Sequence, residues 1–315
     1  MTVLLAGASG TIGQAVARRL LAEGHRVLCP LRPGAAPPVA GCKPLTCNLS
    51  DADSLRSALA GERIETVISC IASRSGTPRD AWAVDHDAQV RLLDTARAAG
   101  ARRFVLLSAI CVQKPRLPFQ FAKLAFEARL RDSGLDWSIV RPTAFFKSLS
   151  GQVARVQAGK PFLLFGDGLQ TACKPISDAD LARYIVGCLD DPARRNRILP
   201  IGGPGPAITP RDQGERLFAM LGRPARFRQV PFALMDGIAA TLGALGRVSP
   251  RLAAKADLAR IGRYYATESM LHWDEDAGRY DAAATPEFGT DTLWDHYARM
   301  IRGEVTADLG AHAVF

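Results

Sequence analysis

No stretch of this 315-residue chain is apolar for long enough to cross a bilayer. The longest, around Pro231 to Leu245, carries Asp236 and several glycines. No C-x-x-C pair occurs among the seven cysteines (Cys29, Cys42, Cys47, Cys70, Cys111, Cys173 and Cys188), and their odd number argues against a disulfide framework. Cys29, Cys47 and Cys70 fall on expected strands, where a buried thiol behaves as a small hydrophobe, so a reducing compartment is expected. The five histidines (His25, His86, His272, His296 and His312) have no ligand spacing, and no protein-bound metal is expected. The formal net charge is +9, yet no dense Lys/Arg run is interleaved with aromatics, which sets nucleic acid aside as a partner. The excess instead suits a phosphate-bearing cofactor, a carboxylate-bearing substrate or an anionic membrane surface, with solvated arginine-rich helices accounting for most of it. No signal or transit segment is expected, because the N-terminus runs straight into a strand pattern; this predicts a cytoplasmic protein.

What is present begins at once. Thr2 to Ala6 is a short apolar run that reads as a buried strand. Gln14 to Glu23 places Val16, Leu20 and Leu21 on one helical face, and Gly24 closes the helix. Between them lies Gly7-Ala8-Ser9-Gly10-Thr11-Ile12-Gly13. A strand, a glycine turn and a helix N-terminus in that order form an anion site, with backbone N–H groups and the helix dipole directed at a pyrophosphate. Gly7 permits the turn, Gly10 leaves room for phosphate oxygens and Gly13 lets helix and strand pack closely. Gly7, Ser9, Gly10, Thr11, Ile12 and Gly13 are therefore the expected dinucleotide cradle.

Strand and helix patterns alternate through the first half. Strands are expected at Arg26 to Leu31, Lys43 to Cys47, Thr66 to Ile71, Phe104 to Leu107 and Trp137 to Val140. Helices are expected at Asp51 to Ala60 (capped by Ser50 or Asp51), Arg79 to Ala99 and Phe119 to Ser133. Repeated β-α units predict an α/β fold: a Rossmann doubly wound parallel sheet with a smaller C-terminal α+β substrate lobe. After Pro142 the rhythm breaks. Helices are expected at Asp178 to Leu189, Thr209 to Leu221 and 231–265 (interrupted at Gly246 and Pro250), with short strands at Ile198 to Ile201 and Arg226 to Val230. The expected division is 1–142 with a returning segment at about 177–202 for the nucleotide domain, and 143–315 for the substrate lobe and C-terminal helices.

Arg32 follows the second strand in a Cys29-Pro30-Leu31-Arg32-Pro33-Gly34 segment that holds no acid. A carboxylate there would bind a ribose 2′-hydroxyl, whereas an arginine suits a 2′-phosphate, so NADPH is the expected cofactor. Asn48 and Leu49 sit where an adenine contact is expected, and the small residues around Ile71 and Ala72 leave room for a ribose. Tyrosine is absent before Tyr184. Carbonyl reductases of this fold commonly use Tyr-x-x-x-Lys, the phenol protonating the new alkoxide. Here Phe119-Gln120-Phe121-Ala122-Lys123 keeps the lysine and replaces the acid by phenylalanine, while Ser108 ends the fifth strand. Lys123 is the expected catalytic residue, as proton donor or as a hydrogen-bond partner of the nicotinamide ribose. A missing phenol is tolerable when hydride goes to a conjugated C=C, because the resulting carbanion spreads over the π-system. A dinucleotide sensor without turnover would lack the tyrosine as well.

Longer motifs separate these alternatives. The runs Leu106-Leu107-Ser108-Ala109-Ile110-Cys111-Val112-Gln113-Lys114-Pro115 and Arg141-Pro142-Thr143-Ala144-Phe145-Phe146-Lys147-Ser148-Leu149 are two of them. Others are Phe165-Gly166-Asp167-Gly168, Ala172-Cys173-Lys174-Pro175-Ile176-Ser177, Ile201-Gly202-Gly203-Pro204-Gly205 and Tyr264-Tyr265-Ala266-Thr267-Glu268-Ser269-Met270. Together they resemble the NADPH-dependent divinyl chlorophyllide 8-vinyl reductases, a family of atypical short-chain dehydrogenase/reductases with an NmrA-like Rossmann domain. The resemblance implies reduction of the 8-vinyl group of a magnesium chlorin to ethyl, in chlorophyll or bacteriochlorophyll biosynthesis. It places Gly7, Gly10, Gly13 and Arg32 on NADPH and Lys123 beside the nicotinamide, which Pro142, Thr143 and Phe145 would line. Phe119, Phe146 and Lys174, with the 165–177 loop, would face the chlorin. Plant members carry a chloroplast transit segment, so the expectation is a bacterial cytoplasmic enzyme, with peripheral contact on the inner face of the photosynthetic membrane. Other readings stay open: a reductase of another conjugated alkene, or an NADP-binding sensor or assembly factor. Arg247, Arg251, Lys255, Arg260 and Arg263, the first three gathered on one helical face by near four-residue spacing beside the apolar 231–245 stretch, either form a solvated face or meet anionic lipid.

Overall fold

The computed structural model describes residues 1–306; His312 and the end of the expected 143–315 lobe lie outside the described residues. In chain order the first half runs β1 (Thr2–Ala6), α1 (Thr11–Ala22), β2 (Arg26–Leu31), β3 (Lys43–Thr46), α2 (Ala52–Ala58) and β4 (Thr66–Ser69). It continues through α3 (Pro78–Ala81), a π-helical segment (Trp82–Ala88), α4 (Gln89–Ala98), β5 (Arg103–Leu107), a 3₁₀ turn (Ile110–Gln113), α5 (Pro118–Arg131) and β6 (Asp136–Pro142). Then follow α6 (Phe146–Leu149), α7 (Val153–Gln157), β7 (Phe162–Phe165), α8 (Asp178–Gly187), β8 (Arg197–Ile201), α9 (Pro210–Met220) and β9 (Phe227–Val230). The last elements are α10 (Phe232–Leu245), α11 (Pro250–Tyr265), β10 (His272–Asp274), β11 (Arg279–Asp281) and α12 (Leu293–Ile301).

The main sheet has the order β3-β2-β1-β4-β5-β6-β8, and each pairing from β3 through β6 is parallel. This is the Rossmann order, with its reversal between β1 and β4. Strand side chains alternate between the two sheet faces. Leu4, Leu28, Phe104, Leu106 and Ile139 join Leu55 of α2, Leu92 and Leu93 of α4, and Phe126 and Leu130 of α5 in one buried cluster. α1, whose Val16, Ala17 and Leu20 are buried, packs against α8.

Two compact units emerge. The first comprises 1–73, 78–142 and 178–200, and the second 74–77, 143–177 and 201 onward. In the second unit β7 pairs in parallel with β9, while β10 and β11 form an antiparallel pair. α9 starts at Thr209, whose hydroxyl and Asp212 carboxylate cap each other's backbone, with Pro210 at the first helical position.

Several expected boundaries shift, for local reasons. α1 begins at Thr11, three residues before the expected Gln14, because Gly10 in an extended conformation already serves as its N-cap. Asp51 rather than Ser50 caps α2, its carboxylate accepting from the N–H groups of Asp53 and Ser54 at 3.0 and 3.3 Å. β4 stops at Ser69, so Ile71 and Ala72 lie on the loop after it. The single helix expected over 79–99 is α3, a π-helical segment and α4 in succession.

Candidate functional site

The crevice at the sheet's order reversal lies past the C-terminal ends of β1 and β4, both in the first unit. Gly7 holds φ +84°, and a Cβ there would stand 2.6 Å from the backbone carbon of Cys70. The turn after β1 therefore touches the loop after β4 with no room for a side chain. A Cβ on Gly13 would lie 2.1 Å from the Gly7 carbonyl oxygen, so the first turn of α1 sits directly on the glycine turn. Gly10 differs: its added Cβ would meet only that oxygen, at 3.5 Å. Its N–H donates to Gly7 O at 3.0 Å, and no side chain caps α1 at Gly10. Ser9, Gly10 and Thr11 are exposed and Ile12 is half-buried. A backbone cradle with a positive helix end and no capping carboxylate fits a dinucleotide pyrophosphate.

Arg32 follows β2 with its side chain exposed and no acidic partner among the described residues. Asn48 is exposed but turned onto its own loop, its side-chain oxygen accepting from Ser50 N–H at 3.0 Å. Leu49 packs against the core cluster. Ile71 is half-buried and Ala72 exposed, on a loop held by two side chains from the helix opposite. Gln89 accepts from the Ser69 hydroxyl at 2.8 Å and donates to Ile71 O at 3.4 Å. One turn earlier, Asp85 accepts from Ser73 N–H at 3.3 Å.

Asp85 is one of the residues that sequence reasoning missed. Its side chain has no solvent exposure and its Oδ1 lies 2.9 Å from Lys123 Nζ, while its Oδ2 has no hydrogen-bond partner. Lys123, on α5, is itself only 9% exposed. A buried lysine and aspartate drawn from elements 38 positions apart form an ion pair of the kind that survives desolvation only with good geometry. Asp85 sits within the π-helical segment, a local rewinding often found at functional sites. No sequence signal marks Asp85, because hydrophobic periodicity does not register a π-helical rewinding.

Phe119, one helical turn before Lys123, is buried, so the phenylalanine at the phenol position is a packed core residue. α5 is anchored by Gln120, whose amide oxygen accepts from the N–H groups of Arg116 and Leu117 and whose amide nitrogen donates to Cys111 O at 3.2 Å. Ser108, past β5, donates its hydroxyl proton to Glu127 at 2.5 Å. Glu127 is buried, lies one turn beyond Lys123 and is clamped by the Arg141 guanidinium from β6. Ser108 thus ends in an internal carboxylate–guanidinium pair, and neither Glu127 nor Arg141 was singled out from sequence. Pro142 is buried at the end of β6.

The remaining expected residues belong to the second unit. Thr143 is buried, donating its hydroxyl to Lys174 O and its N–H to Ile201 O. Lys174 is 6% exposed and its ammonium pairs with Glu287. That ammonium, followed by the Gly205 N–H, holds the Glu287 carboxyl below the usual carboxylate range. Gly203 is required here, since a Cβ would overlap the Pro175 carbonyl oxygen at 1.9 Å. Phe145, half-buried, precedes α6 and forms an isolated parallel β-bridge with Ile176. Phe146 is buried, its ring 5.5 Å from that of His296. His296 contacts the Ser150 hydroxyl at 3.1 Å, and burial pushes its pKa below the ordinary imidazole value, with Arg299 adding to the shift.

Comparison with known proteins gives a consistent picture. Residues 7–192 match the NAD(P)H-binding family. The chain is 48% identical over 332 aligned positions to the chloroplastic divinyl chlorophyllide a 8-vinyl-reductase of Oryza sativa subsp. indica, covering 100% of this chain and 82% of that one. It is 42% identical to the chloroplastic enzyme of the same name from Arabidopsis thaliana, covering 98% and 79%. Among solved structures, the NADPH-dependent quinone oxidoreductase of Escherichia coli complexed with NADPH superposes with a TM-score of 0.68 at 18% identity, over 95% of this chain and 99% of that one. At that identity the likeness is one of fold. The expectation of a bacterial cytoplasmic protein is overturned, because these similar reductases are chloroplastic plant proteins. All seven cysteines are free, six of them buried.

Proposed function

The chain belongs to the divinyl chlorophyllide a 8-vinyl-reductases within the NAD(P)H-binding family, and we propose that it carries out the reaction for which those relatives are named. The 8-vinyl group of a divinyl chlorophyllide, a small-molecule chlorin, gains a hydride and a proton and becomes an ethyl group. The cofactor we assign is NADPH, held by the cradle of Gly7, Ser9, Gly10, Thr11, Ile12 and Gly13. Arg32 supports the phosphorylated form, because an exposed guanidinium without an acidic partner suits a 2′-phosphate. Ile71, Ala72 and Ser108 follow β4 and β5 at the C-terminal edge of the sheet, where dinucleotides bind in this fold, and belong to the same assignment, as do Asn48 and Leu49. When bound, NADPH supplies the hydride.

One observation carries the chemistry: a buried lysine stands one helical turn from a buried phenylalanine where carbonyl reductases of this fold place a phenol. Hydride addition to the outer carbon of a conjugated vinyl group leaves negative charge on the inner carbon, delocalised into the macrocycle. No alkoxide forms, so no phenolic acid is needed. Lys123 serves as the proton donor, or else as a partner of the cofactor ribose. Asp85 acts as a positioning residue, fixing the ammonium at 2.9 Å. A proton given up by Lys123 is replaced from solvent.

Mixing the purified protein with NADPH and divinyl chlorophyllide tests the assignment: the Soret band shifts to the blue as vinyl becomes ethyl. A spectrum unchanged while NADPH remains bound would leave a dinucleotide-binding protein without this turnover. Lys123→Ala separates the two roles of the lysine. A turnover loss far exceeding the loss of NADPH affinity identifies a proton donor, and equal losses identify a ribose contact.

A further inference from the structure

A helix apolar around its whole circumference belongs in a core. α10 is such a helix: its single charged residue, Asp236, is taken up by Arg263 of α11 at 2.7 Å. Yet no residue of α10 is buried. α11 covers one side, and the opposite side is open. Leu234, Ile238 and Leu245, at intervals of four and seven, are 54%, 46% and 48% exposed, and Val248 just beyond them is 86% exposed. Leu234, Ile238 and Leu242, with Ala233, Gly237 and Thr241, line a shallow groove along the helix. Thr241 adds no unsatisfied polarity, because its hydroxyl donates to Gly237 O at 2.8 Å.

Cations stand at both ends of this apolar rod. Arg228 precedes it, and Arg247, Arg251 and Lys255 follow it, all exposed and none with a carboxylate partner among the described residues. Fourteen residues rise about 21 Å, short of the roughly 30 Å hydrocarbon core, and no helix of the described residues is long and apolar enough to cross a membrane. Because α11 covers its other side, α10 offers one apolar face that fits an interface, with the neighbouring basic residues at headgroup level.

We propose that the α10 face docks in the plane of an anionic phospholipid bilayer, Leu234, Ile238, Leu245 and Val248 entering the headgroup–acyl boundary while Arg247, Arg251 and Lys255 meet lipid phosphates. Charge selects this occupant over a second copy of the chain. In a face-to-face pairing through α10, the cations at its ends would meet only one another, with no exposed unpaired acid on the helix to offset them. The surface belongs to the second unit and requires nothing of the reductase chemistry.

Vesicle flotation of the full chain is the test, with phosphatidylcholine alone and with phosphatidylglycerol added. Binding to the anionic vesicles exceeds that to neutral ones and weakens as salt rises. Reversing Arg247, Arg251 and Lys255 to glutamate lowers partitioning by about a hundredfold, since each cation near such a surface contributes about fivefold. Ile238→Glu, at an exposed site that leaves the fold intact by circular dichroism, lowers it at least about tenfold. Equal binding to both vesicle types, or binding unmoved by the charge reversal, overturns the proposal. So does a concentration-dependent dimer abolished by Ile238→Glu in a protein that ignores vesicles, which would name a second copy as the occupant. Loss of 8-vinyl reduction with flotation intact would bear on the catalytic assignment alone.

Discussion

Replacing Gly13 by alanine places a methyl carbon 2.1 Å from the Gly7 carbonyl oxygen, 2.7 Å from the carbonyl carbon and 2.9 Å from Ala8 Cα. All three are backbone atoms, so no side chain can swing aside. The first turn of α1 must withdraw by roughly 1 Å to restore an ordinary van der Waals separation. Helix propensity favours alanine over glycine by about 1 kcal/mol, whereas forced overpacking costs about 1–3 kcal/mol. The net loss reaches about 2 kcal/mol, which lowers Tm by several degrees for a chain of this size. Gly10→Ala is the control. Its Cβ would meet the same oxygen at 3.5 Å, and its φ of −79° suits any residue. The ligand-free Tm should therefore move by no more than about 1–2 °C, as expected for the roughly 1 kcal/mol or less by which glycine exceeds alanine at an N-cap. The new methyl nevertheless projects from the exposed surface over which the pyrophosphate would lie, and NADPH affinity falls at least about tenfold, equivalent to about 1.4 kcal/mol. Thermal unfolding without cofactor and a fluorescence titration with NADPH read the two effects separately. A Gly13→Ala protein that melts with the wild type, or a Gly10→Ala protein with undiminished affinity, would refute this account of the loop.

Three further outcomes are expected. Arg32→Glu weakens NADPH relative to NADH by at least about tenfold, an ion-pair loss compounded by repulsion, as read from paired Kd titrations; an unchanged preference would remove Arg32 from the 2′-phosphate. Asp85→Asn leaves Lys123 buried without its carboxylate and costs up to about 3–5 kcal/mol in urea unfolding, part of which returns in the Asp85→Asn/Lys123→Met double variant; additive losses would show that the two residues are uncoupled. His296 has a folded pKa below its ordinary 6.5, so the unfolded chain binds the proton more readily and stability falls as pH drops from about 6.5 toward the folded value. His296→Gln should flatten that part of a Tm–pH curve, leaving the steeper loss at lower pH, where Glu287 and other paired carboxylates protonate.

The parallel sheet and the glycine turn were legible because both are local. β1 is five consecutive residues, and the turn that follows needs glycine at Gly7 and Gly13 for reasons set by atoms within a few positions or by the adjoining β4 loop. β7 was not legible. Phe162–Phe165 is too short to announce itself, and it finds its partner β9 more than sixty residues later. β10, β11 and α12 were missed as well: the two strands are three residues each, and α12 follows them without the β-α rhythm of the first half.

Lys123 shows where such reading stops at the site itself. Its position on α5, four residues after Phe119, could be counted along the chain. Its partner could not, because Asp85 lies 38 positions away on a helix whose π-turns break the very periodicity used to find helices. The same holds for Ser108, whose hydroxyl ends on Glu127 and Arg141, brought together only when β5, α5 and β6 pack. α10 makes the converse point. Its apolarity states that fourteen residues favour leaving water, but only the folded chain shows that no other described element covers them on the outer side. A pattern in sequence reports the environment a segment prefers, and function collects where the fold supplies something else: a carboxylate with one oxygen unsatisfied behind Lys123, and an apolar helix left in solvent with exposed cations at its ends.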